Sequence, residues 1–300
     1  MSAATNSGIK RSRRHIGDHP LPWLLPLILL LVTFTIYPFF YNVWLSFHEF
    51  APLSRSLEYV GLQNWSQLLG DTRFWQSLSI TLAYFVVALT LELVIGMCIA
   101  LLLDADEPGF GLLRALLTMN LVIPPAIVGY MYLLMEDPQF GVISFVLQMF
   151  GLVDTSTPIL SSPSLALAGV LLAEIWQWTP FMVLILLAGL RSLPTEPYEA
   201  AMIDGASAFQ TFWRLTLPMM WKVIAIAVLI RGIDLFRVFD YVFVMTSGGP
   251  GTATYTLSYY SWQQTFSFIK WGYGATLSLV TLIIVLVVAN IFVKFAKVRW

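Results

Sequence analysis

Charge is scarce in this sequence. Of 300 residues, 11% are Asp, Glu, Lys or Arg, against 58% hydrophobic. A soluble domain carries about 25% charged residues. This chain therefore lacks the polar surface to cover a globule of its size, and lipid must cover the rest. The net charge of -1 offers no basic footprint for a nucleic acid. A single cysteine, Cys98, excludes an intrachain disulfide and a cysteine-based zinc site. The three histidines, His15, His19 and His48, are scattered through flanking segments and argue against a metal centre. No Gly-x-x-x-x-Gly-Lys-Ser/Thr loop is present, so the chain does not use ATP by itself. No His-Glu-x-x-His, Gly-x-Ser-x-Gly or paired-Asp motif supports an intramembrane enzyme, and no catalytic residue is expected.

Long apolar runs are abundant instead. A bilayer span needs about 20 mostly apolar residues. Six stretches qualify: about 23–47, 75–103, 112–135, 165–190, 216–243 and 273–296. The basic start followed by an apolar run resembles a leader peptide. The run from Leu21 to Phe47 is too long for one, and no small-residue cleavage site follows it. The expected fold is all-α and polytopic, with a cytoplasmic arm (1–20) and one transmembrane domain (21–300).

Basic residues set the orientation. Lys10, Arg11, Arg13, Arg14, Arg114, Arg191, Arg214, Lys222, Lys294, Lys297 and Arg299 fall on one side, and Arg55, Arg73 and Lys270 on the other. Both termini are therefore expected in the cytoplasm. Outside, residues 48–73 read as a turn-rich stretch, and 140–152 as a short interfacial helix or a lid over the bundle. Pro124-Pro125 is expected to bend the third span, and the carbonyls it frees need partners within the bundle. Trp23, Trp44, Trp271 and Tyr273 fit interface anchors. Gly272-Tyr273-Gly274 reads as a hinge or a simple loop.

The cytoplasmic connection 191–218 carries the most specific signal. Pro194 ends the preceding helix, and Thr195 fits an N-cap with Glu196 and Pro197 in the first turn. Glu199, Ala200, Ala201 and Asp204 continue that helix, and Gly205 permits a sharp turn before Ala206. A second short helix is expected through Phe209, Phe212 and Trp213, with Pro218 opening the fifth span. Such a knob docks onto a protein or lies on the headgroups.

Glu199-Ala200-Ala201, Gly205, Leu215 and Leu217-Pro218 resemble the signature loop of ABC importer permeases, in which the position of Leu215 is most often Ile. Thr179-Pro180-Phe181 with Ala188-Gly189-Leu190, Val60 to Trp65, and Phe239-Asp240 with Thr246 to Gly251 resemble the sugar and polyol subfamily, that of the larger permease of the maltose importer. The resemblance covers nearly the whole chain from the first span onward. It implies a type I importer permease fold in a prokaryotic inner membrane. It also implies a second six-span permease, most often a different chain, and two ATPase subunits that hold ATP and Mg. An extracytoplasmic binding protein would deliver a sugar-like solute. The chain itself would bind no cofactor. Glu199 would contact the ATPase and Gly205 would form the elbow.

Ionisable residues inside the spans sharpen the search for a solute path. Glu92, Glu174, Arg231, Asp234, Arg237 and Asp240 each cost about 2.5–3.5 kcal/mol at the bilayer centre, so most must face protein or water. Helical phase puts Glu174, Gln177, Trp178 and Phe181 on one face of span four. Arg231, Asp234, Leu235 and Val238 share one face of span five. Arg237 and Asp240 point away from that face and can pair with each other. The resemblance places the solute between these two faces. The same groups also suit a polar network that holds the permeases together, and both readings stand. Glu92, alone in span two, contacts the neighbouring permease, lines the path or is structural. An ion-coupled secondary transporter and an ABC permease for a non-sugar solute are the competing functions.

Overall fold

The computed structural model describes residues 21–105, 107–154 and 158–296. The N-terminal arm and the basic residues Lys10, Arg11, Arg13, Arg14, Lys297 and Arg299 lie outside the described residues. The described chain is almost wholly helical.

The first span consists of α1 (Leu21–Leu31) and α2 (Tyr37–Leu45), joined by a π-helical turn at Val32–Ile36. It is apolar around its whole circumference and is not buried against the rest of the chain along its length. The expected turn-rich stretch has more order than its sequence suggested. A two-stranded antiparallel ribbon, β1 (His48–Ala51) with β2 (Ser56–Tyr59), pairs His48 with Tyr59 and Ala51 with Ser56. Helix α3 (Gln63–Gly70) follows. Asn64 Nδ2 donates to the carbonyls of Ser46 and His48, each at 3.0 Å, and so fastens α3 to the end of the first span.

Helix α4 (Thr72–Asp104) is the spine. Asp71 caps it by accepting from the Arg73 amide at 2.9 Å. Its buried face carries Ser77, Thr81, Tyr84, Ala88, Glu92, Gly96, Ala100 and Leu103, three or four apart throughout. Small side chains on this stripe let α8 (Ala166–Arg191) approach closely: a Cβ at Gly96 would lie 2.8 Å from the Met182 Cβ.

The third span is broken. Helices α5 (Phe110–Asn120) and α6 (Pro125–Met135) meet at 96°. Proline at 124 and 125 cannot continue the hydrogen-bond ladder. The freed Ile123 carbonyl accepts from Gln177 Nε2 at 2.6 Å. Pro180 lies inside the unbroken α8 and donates no hydrogen bond to the Trp176 carbonyl one turn before it, which accepts from Asn120 Nδ2 at 3.3 Å instead. The broken span is thus stapled to α8 just before Pro180. Helix α7 (Val142–Met149) forms the short outer helix.

Helix α9 (Glu196–Ile203) and α10 (Ala208–Thr211) form the loop; a π-helical turn at Phe212–Thr216 then runs straight into α11 (Leu217–Leu235). The fifth span therefore stops at Leu235, eight residues short of expectation. A turn follows, then a π-helical segment at Val242–Thr246, and then α12 (Leu257–Trp262). Helix α13 (Trp271–Ala296) closes the chain.

Gly272 and Gly274 are neither a hinge nor a loop; they sit in the first turn of α13. A Cβ at Gly272 would collide with the His48 carbonyl, and one at Gly274 with Thr265 Oγ1. Tyr273 is not an interface anchor. It is buried, and its hydroxyl, like that of Tyr260, donates to Asp71. Burial raises the Asp71 pKa, but bonds from Tyr260, Tyr273 and the amides of Arg73 and Phe74 outweigh it and hold the carboxyl below its ordinary 3.8.

Candidate functional site

The charges of three helices converge on one guanidinium. Arg231 of α11 gives Nε at 2.7 Å and Nη2 at 3.0 Å to the Glu92 carboxylate of α4. Nη2 also reaches Glu174 of α8, and Nη1 reaches Asp234 one turn along at 2.6 Å. Tyr84 Oη donates to the other Glu174 oxygen at 2.7 Å. The Trp178 ring lies 4.6 Å from the guanidinium carbon, within cation–π reach. Trp178 Nε1 donates to Tyr241 Oη at 3.1 Å, and Tyr241 donates to Gln177. The planar fork of arginine suits this task, since its donors address three carboxylates at once.

The network separates the sequence-predicted path residues into two groups. Glu174, Gln177 and Arg231 are buried within this one chain, as are Leu235 and Val238, which pack in the apolar core. They form a floor. Asp234, with its side chain 46% exposed, and the half-buried Trp178 and Phe181 remain accessible. The Trp178 and Phe181 rings meet edge to face at 6.2 Å. Glu92 is a fully buried partner of Arg231 within this chain, which is the structural one of its three readings.

Arg237 and Asp240 correct the phase argument. The helix ends at Leu235, so counting at 100° per residue no longer applies beyond it. The two residues turn back to line the same pocket of about 90 Å³ as Glu174, Trp178, Asp234, Val238 and Tyr241. No ion pair joins Arg237 to Asp240 among the described residues. Tyr84 and Tyr241 carried no signal in a sequence so rich in aromatics. Only the fold brings their hydroxyls to the carboxylate and the amide.

At the opposite end of α11, the loop stands out from the bundle. Glu199, Ala200, Asp204 and Gly205 are exposed, and Ala201 and Ala206 half-exposed. Gly205 has φ of +73°, a left-handed conformation that side-chain-bearing residues rarely adopt. Thr195 stands at the N-cap position but makes no capping bond, since its backbone is already helical. The second helix is capped better than expected, by a reciprocal box between Ser207 and Gln210. Tyr198 Oη lies 3.1 Å from Thr216 Oγ1 and ties α9 to the root of α11. Met202, Ile203, Phe209 and Trp213 leave the knob with an exposed apolar surface.

Comparison with known proteins bears on the family and the fold. Residues 92–298 match the family model described as binding-protein-dependent transport system inner membrane component. The chain is 34% identical over 276 residues to the trehalose/maltose transport system permease protein MalF of Thermococcus litoralis, covering 92% of each. It is 32% identical over 287 residues to the trehalose transport system permease protein SugA of Mycobacterium tuberculosis, covering 95% of this chain and 91% of that one. It is 31% identical over 287 residues to the sulfoquinovosyl glycerol transport system permease protein SmoG of Agrobacterium fabrum, covering 95% and 92%. Among solved structures, a chain of a bacterial alginate ABC transporter superposes with a TM-score of 0.79 at 20% identity, covering 92% of this chain and 93% of that one.

Proposed function

The chain belongs to the binding-protein-dependent transport system inner membrane component family, a permease subunit of an ABC importer, and from that premise we propose which solute it moves and which residues do so. The ion-gradient carrier falls away with that membership. The proposed solute is a sugar, polyol or related neutral hydroxylated compound, in keeping with the trehalose and maltose named in its relatives. The observation that carries the proposal is the pocket at the upper end of α11. An indole face lies beside exposed carboxylate and guanidinium groups, above a buried floor of ion pairs. Rings stack on the C–H faces of a pyranose, and fixed polar groups satisfy its hydroxyls.

The loop from Glu199 to Pro218 is proposed as the ATPase contact. ATP and Mg would sit on those partner subunits, and closure of the ATPase pair would push the knob and rock α11 through the Tyr198–Thr216 tie. A second six-span permease, more often a different chain than a copy, would complete the path, and a binding protein would deliver the solute from outside.

Two variants test the two halves of this reading in proteoliposomes that contain the assembled importer and its binding protein. Gly205→Trp strains the elbow and is expected to abolish uptake while the chain still inserts. Trp178→Ala is expected to weaken solute stimulation of ATP turnover at least tenfold while the ATPases stay associated. Normal uptake by Gly205→Trp refutes the docking role, and unchanged stimulation in Trp178→Ala refutes the site.

A further inference from the structure

The pocket has an unbalanced charge. Four carboxylates, Glu92, Glu174, Asp234 and Asp240, accompany two guanidiniums, Arg231 and Arg237. Arg231 is consumed in the floor, where Glu92 and Glu174 surround it and Asp234 takes its remaining edge. Asp240 and Arg237 stand at the mouth and are both exposed. No other Lys, Arg or His lines the pocket among the described residues. With all four carboxylates ionised, the surplus is two negative charges. Nearby hydroxyl groups, those of Tyr84 and Tyr241, add no positive charge.

We infer that this surplus makes the permease itself select against anionic solutes: the pocket passes neutral or cationic sugars and excludes uronic acids and sulfonates, with Asp234 and Asp240 as the specificity-determining residues. The inference rests on the reading of this pocket as the solute site. A cleft in which one sign of charge predominates concentrates counter-ions, by up to about 10 to 10³-fold where the lining is of one sign, and depletes like-charged ions. Low-dielectric walls on α6, α8 and α11 strengthen the effect. The fold does not decide the sign, because the alginate transporter that shares it is titled as importing an acidic polysaccharide. The side chains that surround the guanidiniums decide it. Arg237 remains available to hold neutral hydroxyls as a donor, while the exposed carboxylates of Asp234 and Asp240 accept from them.

The test reads the sign of the pocket without a solute. Cys98 is replaced by serine, and a single cysteine is placed at Phe239, a half-buried residue of the pocket wall. The assembled importer is treated with a cationic trimethylammonium-ethyl and an anionic sulfonato-ethyl methanethiosulfonate. Their rates are normalised to those with a free small thiol. The cation is expected to react about tenfold faster or more, and the preference to shrink to under threefold when Asp234→Asn and Asp240→Asn are added. Equal rates, a faster anion or a preference that survives both substitutions overturns the inference. A second arm presents trehalose, glucosamine and glucuronate with the binding protein. The ratio of stimulated turnover, double variant over parent, is expected to be about tenfold higher for glucuronate than for trehalose, and lower for glucosamine than for trehalose. A uniform change across the three overturns the inference. If the thiol preference holds while no sugar stimulates turnover, the sugar reading fails and charge selection stands.

Discussion

At the scale of single residues, Arg231 and Glu136 show opposite ways of burying charge. Arg231 is almost fully enclosed, yet each of its donating edges meets a carboxylate. Removing one partner of a buried pair typically costs about 3–5 kcal/mol, because the remaining charge is stranded. Arg231→Met strands two glutamates. It is expected to lower the thermal midpoint of the purified subunit sharply, and Glu92→Gln with Glu174→Gln in the same chain is expected to recover part of the loss. Equal midpoints for the single and triple variants refute a charge origin. Glu136, just after α6, has no such partner. Both its oxygens are buried and lack a hydrogen-bond partner among the described residues, and one would lie 2.5 Å from a Cβ at Gly169. Burial pushes its carboxyl from an ordinary 4.5 up to about 7. The folded state therefore prefers the protonated acid. Stability is full below about pH 4.5, where both states hold the proton, and declines as pH rises towards 7, by up to about 3 kcal/mol. Glu136→Gln is expected to flatten this decline, measured as midpoint against pH from 4 to 8. A parallel decline in the variant assigns the effect elsewhere.

At the scale of helices, small residues and proline set the arrangement. Gly96 lets α4 touch α8 beside the ion-pair network, and a Cβ there would press on Met182 near its own backbone rather than on a flexible end. Gly96→Leu is expected to part the two helices. The midpoint should fall by more than for Gly96→Ala, and the acceptor distance from Arg231 to Glu92 should lengthen enough to lower uptake. A leucine variant as stable as the parent would show that this contact does not set the spacing. The helices themselves were legible in the sequence, since apolar length alone marks a span. The bend at Pro124-Pro125, the elbow at Gly205 and the outer helix at 142–149 were legible too, because proline, glycine and an amphipathic run act locally. The end of α11 was not. Nothing in Phe236 to Val238 breaks a helix, and the turn there is fixed by packing against α12, where Ser258 Oγ donates to the Phe236 carbonyl at 3.3 Å. That one missed boundary misplaced Arg237 and Asp240. The structural role of Glu92 was among its readings, but its partner was not legible, because no sequence window joins residue 92 to residue 231.

At the scale of the whole molecule, the two ends differ in chemistry, and the difference sets direction. One end gathers the docking knob, Arg214 and Lys222 near it, and a belt of contacts between helix ends. Arg114 Nη2 donates to the Leu103 carbonyl at 2.7 Å, Arg191 lies 3.8 Å from Asp104, and Trp221 Nε1 donates to the Ala296 carbonyl at 2.8 Å. The other end holds Asp71 with Tyr260 and Tyr273, the β-ribbon with Arg55, and Gln76 donating to Thr252 at 2.5 Å. Each family of contacts ties helix ends together at its own end, with the ion-pair network between them. We propose, from the excess of Lys and Arg on that side of the sequence, that the knob faces the cytoplasm. With Cys98→Ser as background, Ser54→Cys in the ribbon turn is expected to react with a membrane-impermeant maleimide in intact spheroplasts. Ser207→Cys beside the elbow is expected to react only in inverted vesicles. Both positions are exposed, so silence reports sidedness rather than burial. The reverse pattern would put the knob outside, out of reach of ATP, and would refute its proposed role as the ATPase contact.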